Sequence, residues 1–245
     1  MSTLKALSLG ALLPAAFALA QSSATMGSLR GSVTDTQGRP LAGAEVRYLS
    51  VAPSVAAGLR ATPAPGEHVV NAAVSADASG AFAVAGLPAA TYMLCASVPS
   101  APYIDPCIWR QAVRTTVRAG AAASQDIALD KGVYLNVRIN DPMGLLPQVI
   151  DGPQTARKLL VGIAYGTGAY QGATNTEVDS AGRGYQLIVP TGEPFYIRLY
   201  STDVALEDAS GGVMAAPAAG IAFQATAGQD QNFTFTIVGA AGHVQ

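Results

Sequence analysis

Apolar residues in this chain alternate with polar ones, and this period of two constrains the fold more than any other feature. Between Val133 and Ile139, every second residue is aliphatic. Such a row places apolar side chains on one face of a β-sheet and polar side chains on the other. Because two sheets must pack face to face to bury such rows, the pattern predicts an all-β chain of sandwich architecture. Further rows lie at 46–48, 82–84, 92–96, 159–165, 185–189, 195–199 and 233–237.

Helical signals are scarce. After the first 20 residues the sequence shows no amphipathic helical period, and a single helical turn is expected only at 204–208. The composition favours short strands joined by turns, since the 245 residues include 26 Gly and 15 Pro. A chain of this length has room for one large domain or for two smaller ones.

Several short elements occur twice, in the same order along the chain. The Asp-x-x-Gly turns that begin at Asp35 and Asp77 have counterparts that begin at Asp141 and Asp179. A shared order of such elements favours two copies of one domain, although unrelated sandwiches also share turns and alternation. The other matches are Leu87-Pro88 with Val189-Pro190, Tyr92-x-Leu94 with Phe195-x-Ile197, and Gln125-Asp126-Ile127 with Gln231-Asn232-Phe233.

The first copy carries a longer motif. It reads Gly31-x-Val33-x-Asp35-x-x-Gly38-x-Pro40-Leu41-x-Gly43-Ala44-x-Val46, then Ser75-x-Asp77-x-x-Gly80-x-Phe82, then Leu87-Pro88-x-x-x-Tyr92-x-Leu94. This motif resembles the carboxypeptidase regulatory-like domain, and the resemblance implies a transthyretin-like β-sandwich over residues 28–130. The resemblance is looser over 133–239, where Pro-Leu-x-Gly-Ala is reduced to Leu145-Leu146-Pro147. The second sandwich is therefore either a diverged copy or another immunoglobulin-like type.

The residues of this motif have structural rather than chemical roles. Gly38 and Gly80 suit turn positions where φ is positive. The carboxylates of Asp35 and Asp77 accept hydrogen bonds from backbone N–H groups inside their turns. We therefore interpret the motif as a folding signature. The large residues expected between the sheets are Phe82, Tyr92 and Leu94.

The N-terminus predicts export. Lys5 precedes an apolar run and the small-x-small pattern Ala18-Leu19-Ala20, so we expect a cleaved signal peptide over 1–20. The alternative, a retained membrane anchor, needs a longer apolar run, and no later stretch is long enough to span a membrane. We expect a secreted, periplasmic or cell-surface protein. Its predicted parts are a flexible segment at 21–27, sandwiches at 28–130 and 131–239, and a flexible tail at 240–245.

The two cysteines of the chain, Cys95 and Cys107, agree with export. In an oxidising compartment an even pair predicts a disulfide, which here joins a strand to the Pro-rich loop 97–106. The alternative is a pair of free thiols in metal binding or catalysis. That alternative needs His or carboxylate neighbours at ligand spacing, and the sequence shows none.

We find no catalytic or cofactor motif in the sequence. His68 and His243 are the two histidines, and neither lies in a metal-binding or nucleophile motif. A formal net charge of −2 with 12% charged residues argues against a nucleic-acid partner. We expect a non-catalytic protein without cofactor or metal, and the alternative is a hydrolase with an unrecognised site. The carboxylates whose spacing selects no glycosidase-like pair are Glu177, Asp179, Glu193, Asp203, Glu207 and Asp208.

Three segments are candidates for binding. Tyr103 and Trp109 lie on either side of Cys107, in a loop that can stack on a sugar ring or grip a peptide. The alternative is that Trp109 packs beneath this loop as a satellite core residue. Tyr170 lies in the polar stretch Gly166–Glu177, which we expect to be a loop. The Pro/Ala-rich stretch Ala52–Gly66 is longer than an ordinary hairpin loop.

The junction Asp130-Lys131-Gly132 is almost too short to be a linker, so we expect a stiff pair of sandwiches. Some related surface domains cross-link a first-strand Lys to a last-strand Asn, and strand register decides whether Lys131 and Asn232 meet. The alternative is that both residues are solvated.

The sequence predicts a structural or protein-interaction module with an envelope or extracellular protein as partner. A carbohydrate-binding module that holds a polysaccharide through Tyr103 and Trp109 is the alternative.

Overall fold

The computed structural model describes residues 26–51, 69–109, 112–147, 159–165, 169–214 and 220–241. In these residues the regular structure is almost entirely β, with one short helix. No helix within these ranges is long and apolar enough to cross a membrane. The predicted signal peptide, the stretch Ala52–Gly66 and both histidines lie outside the described residues.

The strands fall into two sets along the chain. The N-terminal set consists of β1 (Gly27–Asp35), β2 (Glu45–Val51), β3 (Asn71–Ser75), β4 (Ala81–Leu87), β5 (Ala90–Ser97), β6 (Val113–Val117), β7 (Ala122–Ser124) and β8 (Ile127–Leu129), with the helix α1 (Pro106–Trp109) between β5 and β6. The C-terminal set consists of β9 (Val133–Asn140), β10 (Leu160–Tyr165), β11 (Ala169–Gly172), β12 (Thr174–Asp179), β13 (Gly182–Val189), β14 (Pro194–Tyr200), β15 (Val204–Asp208), β16 (Val213–Met214), β17 (Ile221–Gln224) and β18 (Gln231–Ala240).

Both sets pair their strands in the same order. The first strand, β1, lies between antiparallel β4 and parallel β7 and β8, and β9 likewise lies between antiparallel β13 and parallel β18. The second sheet runs β3-β2-β5-β6 in the N-terminal set and β11-β10-β14-β17 in the C-terminal set. The C-terminal set adds β12 beside β13, and β15 and β16 beyond β18. The fold is all-β and of the immunoglobulin-like sandwich class, as the alternation predicts.

Each set buries its own hydrophobic cluster. Residues of the N-terminal core run from Leu29 to Leu129 and include the motif residues Phe82 and Tyr92. The C-terminal core runs from Val133 to Ile237. Strand β9 shows how the alternation produces this burial, because its apolar positions are buried and the positions between them are half-buried.

The motif turns have the predicted geometry. The carboxylate of Asp77 accepts hydrogen bonds from the backbone N–H groups of Ser79 and Ala81, at 2.8 and 3.0 Å. Gly80 has a φ of 77°. A Cβ atom at this glycine would lie 2.5 Å from the carbonyl oxygen of Val33, so both the conformation and the space require glycine.

Two local predictions are wrong. Residues 204–208 form strand β15 rather than a helical turn, because Val204 and Leu206 point into the C-terminal core and the backbone pairs with β18. The stretch Gly166–Glu177 is not a loop where it is described, since most of it lies in β11 and β12. The three strands concerned, β11, β12 and β15, are short and lie at or next to sheet edges, so few residues are available to show a period.

Candidate functional site

The site built around the cysteines is a helical cap on the outside of the N-terminal set. Cys95 and Cys107 form the predicted disulfide, with a Cα–Cα distance of 5.3 Å. Cys95 lies on the side of β5 opposite the inward-facing Leu94 and Ala96, and Cys107 lies in α1. The disulfide therefore fixes α1 to the outer face of the sheet.

Asp105 precedes α1 as its N-cap and provides a second attachment of the helix to the sheet. Its carboxylate accepts a hydrogen bond from the backbone N–H of Cys107 at 2.9 Å, and its backbone oxygen accepts from Ile108 at 3.1 Å. The other carboxylate oxygen pairs with Arg47 on β2. An N-cap Asp followed by Pro at the first helical position is the sequence signal that would have predicted this helix.

The same residues do not form a metal site. Cys95, Asp105 and Cys107 are the one group of three metal-type ligands in the described part of the chain. Their sulfur atoms are bonded to each other, and zinc binds thiolates rather than disulfides.

Trp109, at the end of α1, packs against the opposite set of strands. Its indole N–H donates a hydrogen bond to the carbonyl oxygen of Ile188 on β13, at 3.0 Å. Its ring lies 4.8 Å from that of Tyr165 and 5.7 Å from that of Phe195, between ring centroids. The Tyr165 hydroxyl in turn donates to the carbonyl oxygen of Ile108, at 3.3 Å. We call this arrangement the Trp109 clamp.

The packing of Trp109 in the clamp differs from both the sugar-platform and the satellite-core interpretations. A sugar platform needs an exposed ring, whereas this ring is half-buried against the C-terminal core. The satellite-core interpretation placed the ring beneath its own loop, but its aromatic neighbours belong to the second half of the chain. Its role is therefore a contact between the two sets.

Tyr103 lies at the same junction. Its side chain packs against the N-terminal core, and its backbone forms a bridge with Lys131. The adjacent backbone contacts are hydrogen bonds from Ile104 to the oxygen of Asp130, at 2.9 Å, and from Gly132 to the oxygen of Pro102, at 2.7 Å. The segment before α1 is thus paired with the junction between the two sets.

Two clefts flank Trp109. The larger, of about 530 Å³, lies between residues of both sets, and its walls carry the Arg47–Asp105 ion pair. The smaller cleft, of about 470 Å³, is more polar and is lined by Lys131 and Glu193. The described lining residues of the two clefts include hydroxyl groups and carboxylates but no histidine and no cysteine.

Two of the six carboxylates considered for a glycosidase-like pair, Glu177 and Asp179, lie close together because both bind Arg138. The arrangement is a structural ion-pair cluster. The guanidinium of Arg138 binds Asp179 at 2.9 Å and Glu177 at 3.2 Å. The side-chain hydrogen bond from Arg138, together with the backbone N–H of Ala181, holds the pKa of the Asp179 carboxyl below its ordinary value. A lowered pKa keeps this group ionised, which is unsuited to a general acid.

Lys131 and Asn232 do not meet. Strand β18 runs parallel to β9, and the register places Asn232 opposite Asn136, five positions beyond Lys131. The side-chain amides of Asn136 and Asn232 are hydrogen-bonded to each other at 3.0 Å. The parallel register therefore rules out the cross-link in this structure.

Tyr170 lies on strand β11 rather than on a loop, and half of its surface is exposed. Tyr196 and Tyr200 on β14 face the same side, and neither was predicted from the sequence as a binding residue. The signal was present, because alternation in PFYIRLY puts its tyrosines and Arg198 on one face and its apolar residues on the other. Burial raises the pKa of the Tyr170 phenol.

No protein-family model and no curated protein sequence matches the chain, so the resemblance of 28–130 to the carboxypeptidase regulatory-like domain gains no support there. Solved structures do match. The Bacillus anthracis TIE protein is 15% identical, with 87% of this chain and 34% of that chain covered and a TM-score of 0.33. The Streptococcal ancillary pilin is 14% identical, with 88% and 63% covered and a TM-score of 0.40.

An enzyme is among the matches as well. The 3-chlorocatechol 1,2-dioxygenase of Rhodococcus opacus 1CP is 15% identical, with 44% of this chain and 61% of that chain covered and a TM-score of 0.31. This chain spans about a third of the TIE protein and less than two thirds of the ancillary pilin. Likeness this distant does not assign a function, and the fold class rests on the strand pairing described above.

Proposed function

We propose that this protein is an exported, non-catalytic structural module that acts at the cell envelope or outside the cell. The observation that carries the proposal is the Trp109 clamp. The one tryptophan of the chain, the residue type best suited to gripping a ligand, is used to join two sets of strands. Its partner is an envelope or extracellular protein.

In this proposal residues 28–130 and 131–239 are two β-sandwich domains, and the second is a diverged copy of the first. The shared pairing order of the two sets and their separate cores support this division. The junction at 130–132 is short, and the clamp adds contacts on one side of it. Short linkers and added contacts resist bending, which suits a spacer or an anchoring element.

Sugar binding centred on Trp109 is not favoured, because the indole N–H and ring are both engaged within the chain. A hydrolase is not favoured either, because Arg138 holds the pKa of the Asp179 carboxyl below its ordinary value, which is unsuited to a general acid.

The experiment is chemical cross-linking in the native cells, followed by fractionation and mass spectrometry of the tagged protein. The proposal predicts recovery in the envelope or extracellular fraction, cross-linked to a recurrent envelope or extracellular protein. Recovery in the cytoplasmic fraction without such a partner contradicts it. A variant with the first 20 residues deleted is the matched control, and it should remain in the cytoplasm.

A further inference from the structure

The outer face of the sheet β11-β10-β14-β17 is rich in tyrosine. Tyr170 and Tyr196 lie on either side of Ala164 in the strand register, and Tyr200 lies opposite Leu160. The exposed fractions are 50% for Tyr170, 47% for Tyr196, 44% for Tyr200 and 40% for Leu160. Contiguous exposed apolar surface of this kind marks an interaction site. We call it the tyrosine face.

A glycine on the neighbouring strand, Gly162, allows the Tyr170 ring to lie flat against the sheet. A Cβ atom at Gly162 would lie 2.6 Å from both Cζ and the hydroxyl oxygen of Tyr170, so the ring occupies the place of a side chain at that position. The neighbouring Gly172 also lacks a side chain. A ring that lies over the sheet and is still half exposed presents its π face to the solvent.

The tyrosine face is too small to form a stable interface with a folded protein. Its four strands hold 21 residues in total and lie about 4.8 Å apart, so this face of the sheet covers roughly 330 Å². A stable interface between folded proteins, including a dimer of this chain, needs about 800 Å² on each partner. A linear polymer of narrow, flat units fits the available area better than a second sandwich does.

The positive charge of the tyrosine face favours a polymer that carries negative charge. Arg198 lies between Tyr196 and Tyr200 on β14, and its side chain is exposed. None of the outward-facing positions described on β10, β11, β14 and β17 carries a carboxylate. Arg198 also has an interaction within the chain, and its five N–H donors allow a further contact. A guanidinium favours carboxylate groups, which it can bind with two parallel hydrogen bonds.

We propose that the tyrosine face binds an acidic polysaccharide, a chain of uronic acid units. The C–H groups of a pyranose ring pack on the Tyr170 and Tyr196 rings, whose faces carry partial negative charge. A carboxylate of the same chain binds Arg198. This site is distinct from the Trp109 clamp, and its test uses purified protein, so failure here leaves the envelope role untouched.

The test is affinity electrophoresis of the protein that lacks residues 1–20, in native gels that contain either alginate, a uronic acid polymer, or neutral dextran. We expect alginate and not dextran to retard the protein. Tyr196→Ala is expected to weaken binding to alginate at least tenfold, and the pair Tyr170→Ala and Tyr196→Ala is expected to abolish it. Arg198→Gln is expected to weaken it and to make the residual binding less sensitive to salt.

Tyr134→Ala is the matched control, because Tyr134 lies on β9 in the other sheet of the same set. This variant should bind alginate as the wild type does. Equal mobility of the wild type in both gels overturns the proposal, and so does equal loss in Tyr134→Ala. A dimer in solution that Tyr196→Ala dissociates would also overturn it, since the face would then bind a second copy. Far-UV circular dichroism confirms that each variant is folded.

Discussion

The indole N–H of Trp109 donates a hydrogen bond to the carbonyl oxygen of Ile188, 3.0 Å away, and this bond joins the two halves of the chain. Trp109 ends a helix that a disulfide fastens to β5 in the N-terminal set. Ile188 lies on β13 in the C-terminal set. The helix that the disulfide fastens thus carries the aromatic side chain that contacts the second core.

The clamp predicts low accessibility of the tryptophan. Trp109 is the sole tryptophan, so its fluorescence reports on this site alone. Because the ring packs on Tyr165 and Phe195, iodide should quench it several-fold less in the folded protein than in urea. Quenching as strong in the folded protein as in urea would show an exposed ring and would restore the sugar-platform interpretation.

Loss of the disulfide should weaken the protein and loosen the clamp. Replacing Cys95 and Cys107 together by alanine should lower the free energy of unfolding by about 2–3 kcal/mol, because the closed loop no longer restricts the unfolded chain. Urea unfolding measures this difference. The same variant should show stronger iodide quenching of Trp109, whereas an unchanged quenching constant would show that α1 holds its place without the disulfide.

The Asp77 turn predicts loss of stability in acid. A hydrogen bond from the Ser79 hydroxyl, with the backbone N–H groups of Ala81 and Ser79, holds the pKa of the Asp77 carboxyl below its ordinary value. The folded state thus favours the charged form, so this stabilisation is complete above the unfolded pKa, about 4, and is lost as pH falls through the folded pKa.

Asp77→Asn tests this prediction, because the amide keeps an acceptor oxygen and lacks the charge. The urea midpoint of the wild type should drop between pH 5 and pH 3, and the drop should be smaller in the variant. An equal drop in both proteins would mean that other carboxylates account for the pH dependence.

Two turn glycines should differ in their tolerance of alanine. Gly43 has a φ of 70° and open space within 4 Å of the position that a Cβ would take, whereas at Gly80 a Cβ would also meet the oxygen of Val33. Gly43→Ala should cost about 1–2 kcal/mol for the left-handed backbone alone. Gly80→Ala should cost more, because the main chain must move as well. Thermal unfolding of both variants measures the difference, and equal losses would contradict the close approach.

The sheets were predictable from the sequence because alternation is local. The row at Val133–Ile139 is long and regular, and it appears as strand β9 with its apolar side buried. The turns at Asp35 and Asp77 were predictable for the same reason, since their hydrogen bonds join residues only two to four positions apart.

Other features depend on contacts between distant residues. Trp109 meets Tyr165 and Phe195 only because the two sets are placed side by side, and no local pattern encodes that placement. Helix α1 has four residues, too few for a helical period to show, so Asp105 and Pro106 at its start are the one local signal for it. The tyrosine face needs the pairing of β10 with β11 and β14 before its members become neighbours.

The most direct test of the Trp109 clamp is equilibrium unfolding in urea, followed by far-UV circular dichroism, for the wild type, Trp109→Phe and Trp109→Ala. The clamp predicts one transition for the wild type. Trp109→Phe keeps a ring in place and should lose about 1 kcal/mol with the hydrogen bond. Trp109→Ala should lose about 3 kcal/mol and separate the unfolding of the two sets into two transitions. If Trp109→Ala instead unfolds like the wild type, with the same midpoint and one transition, Trp109 does not couple the two halves.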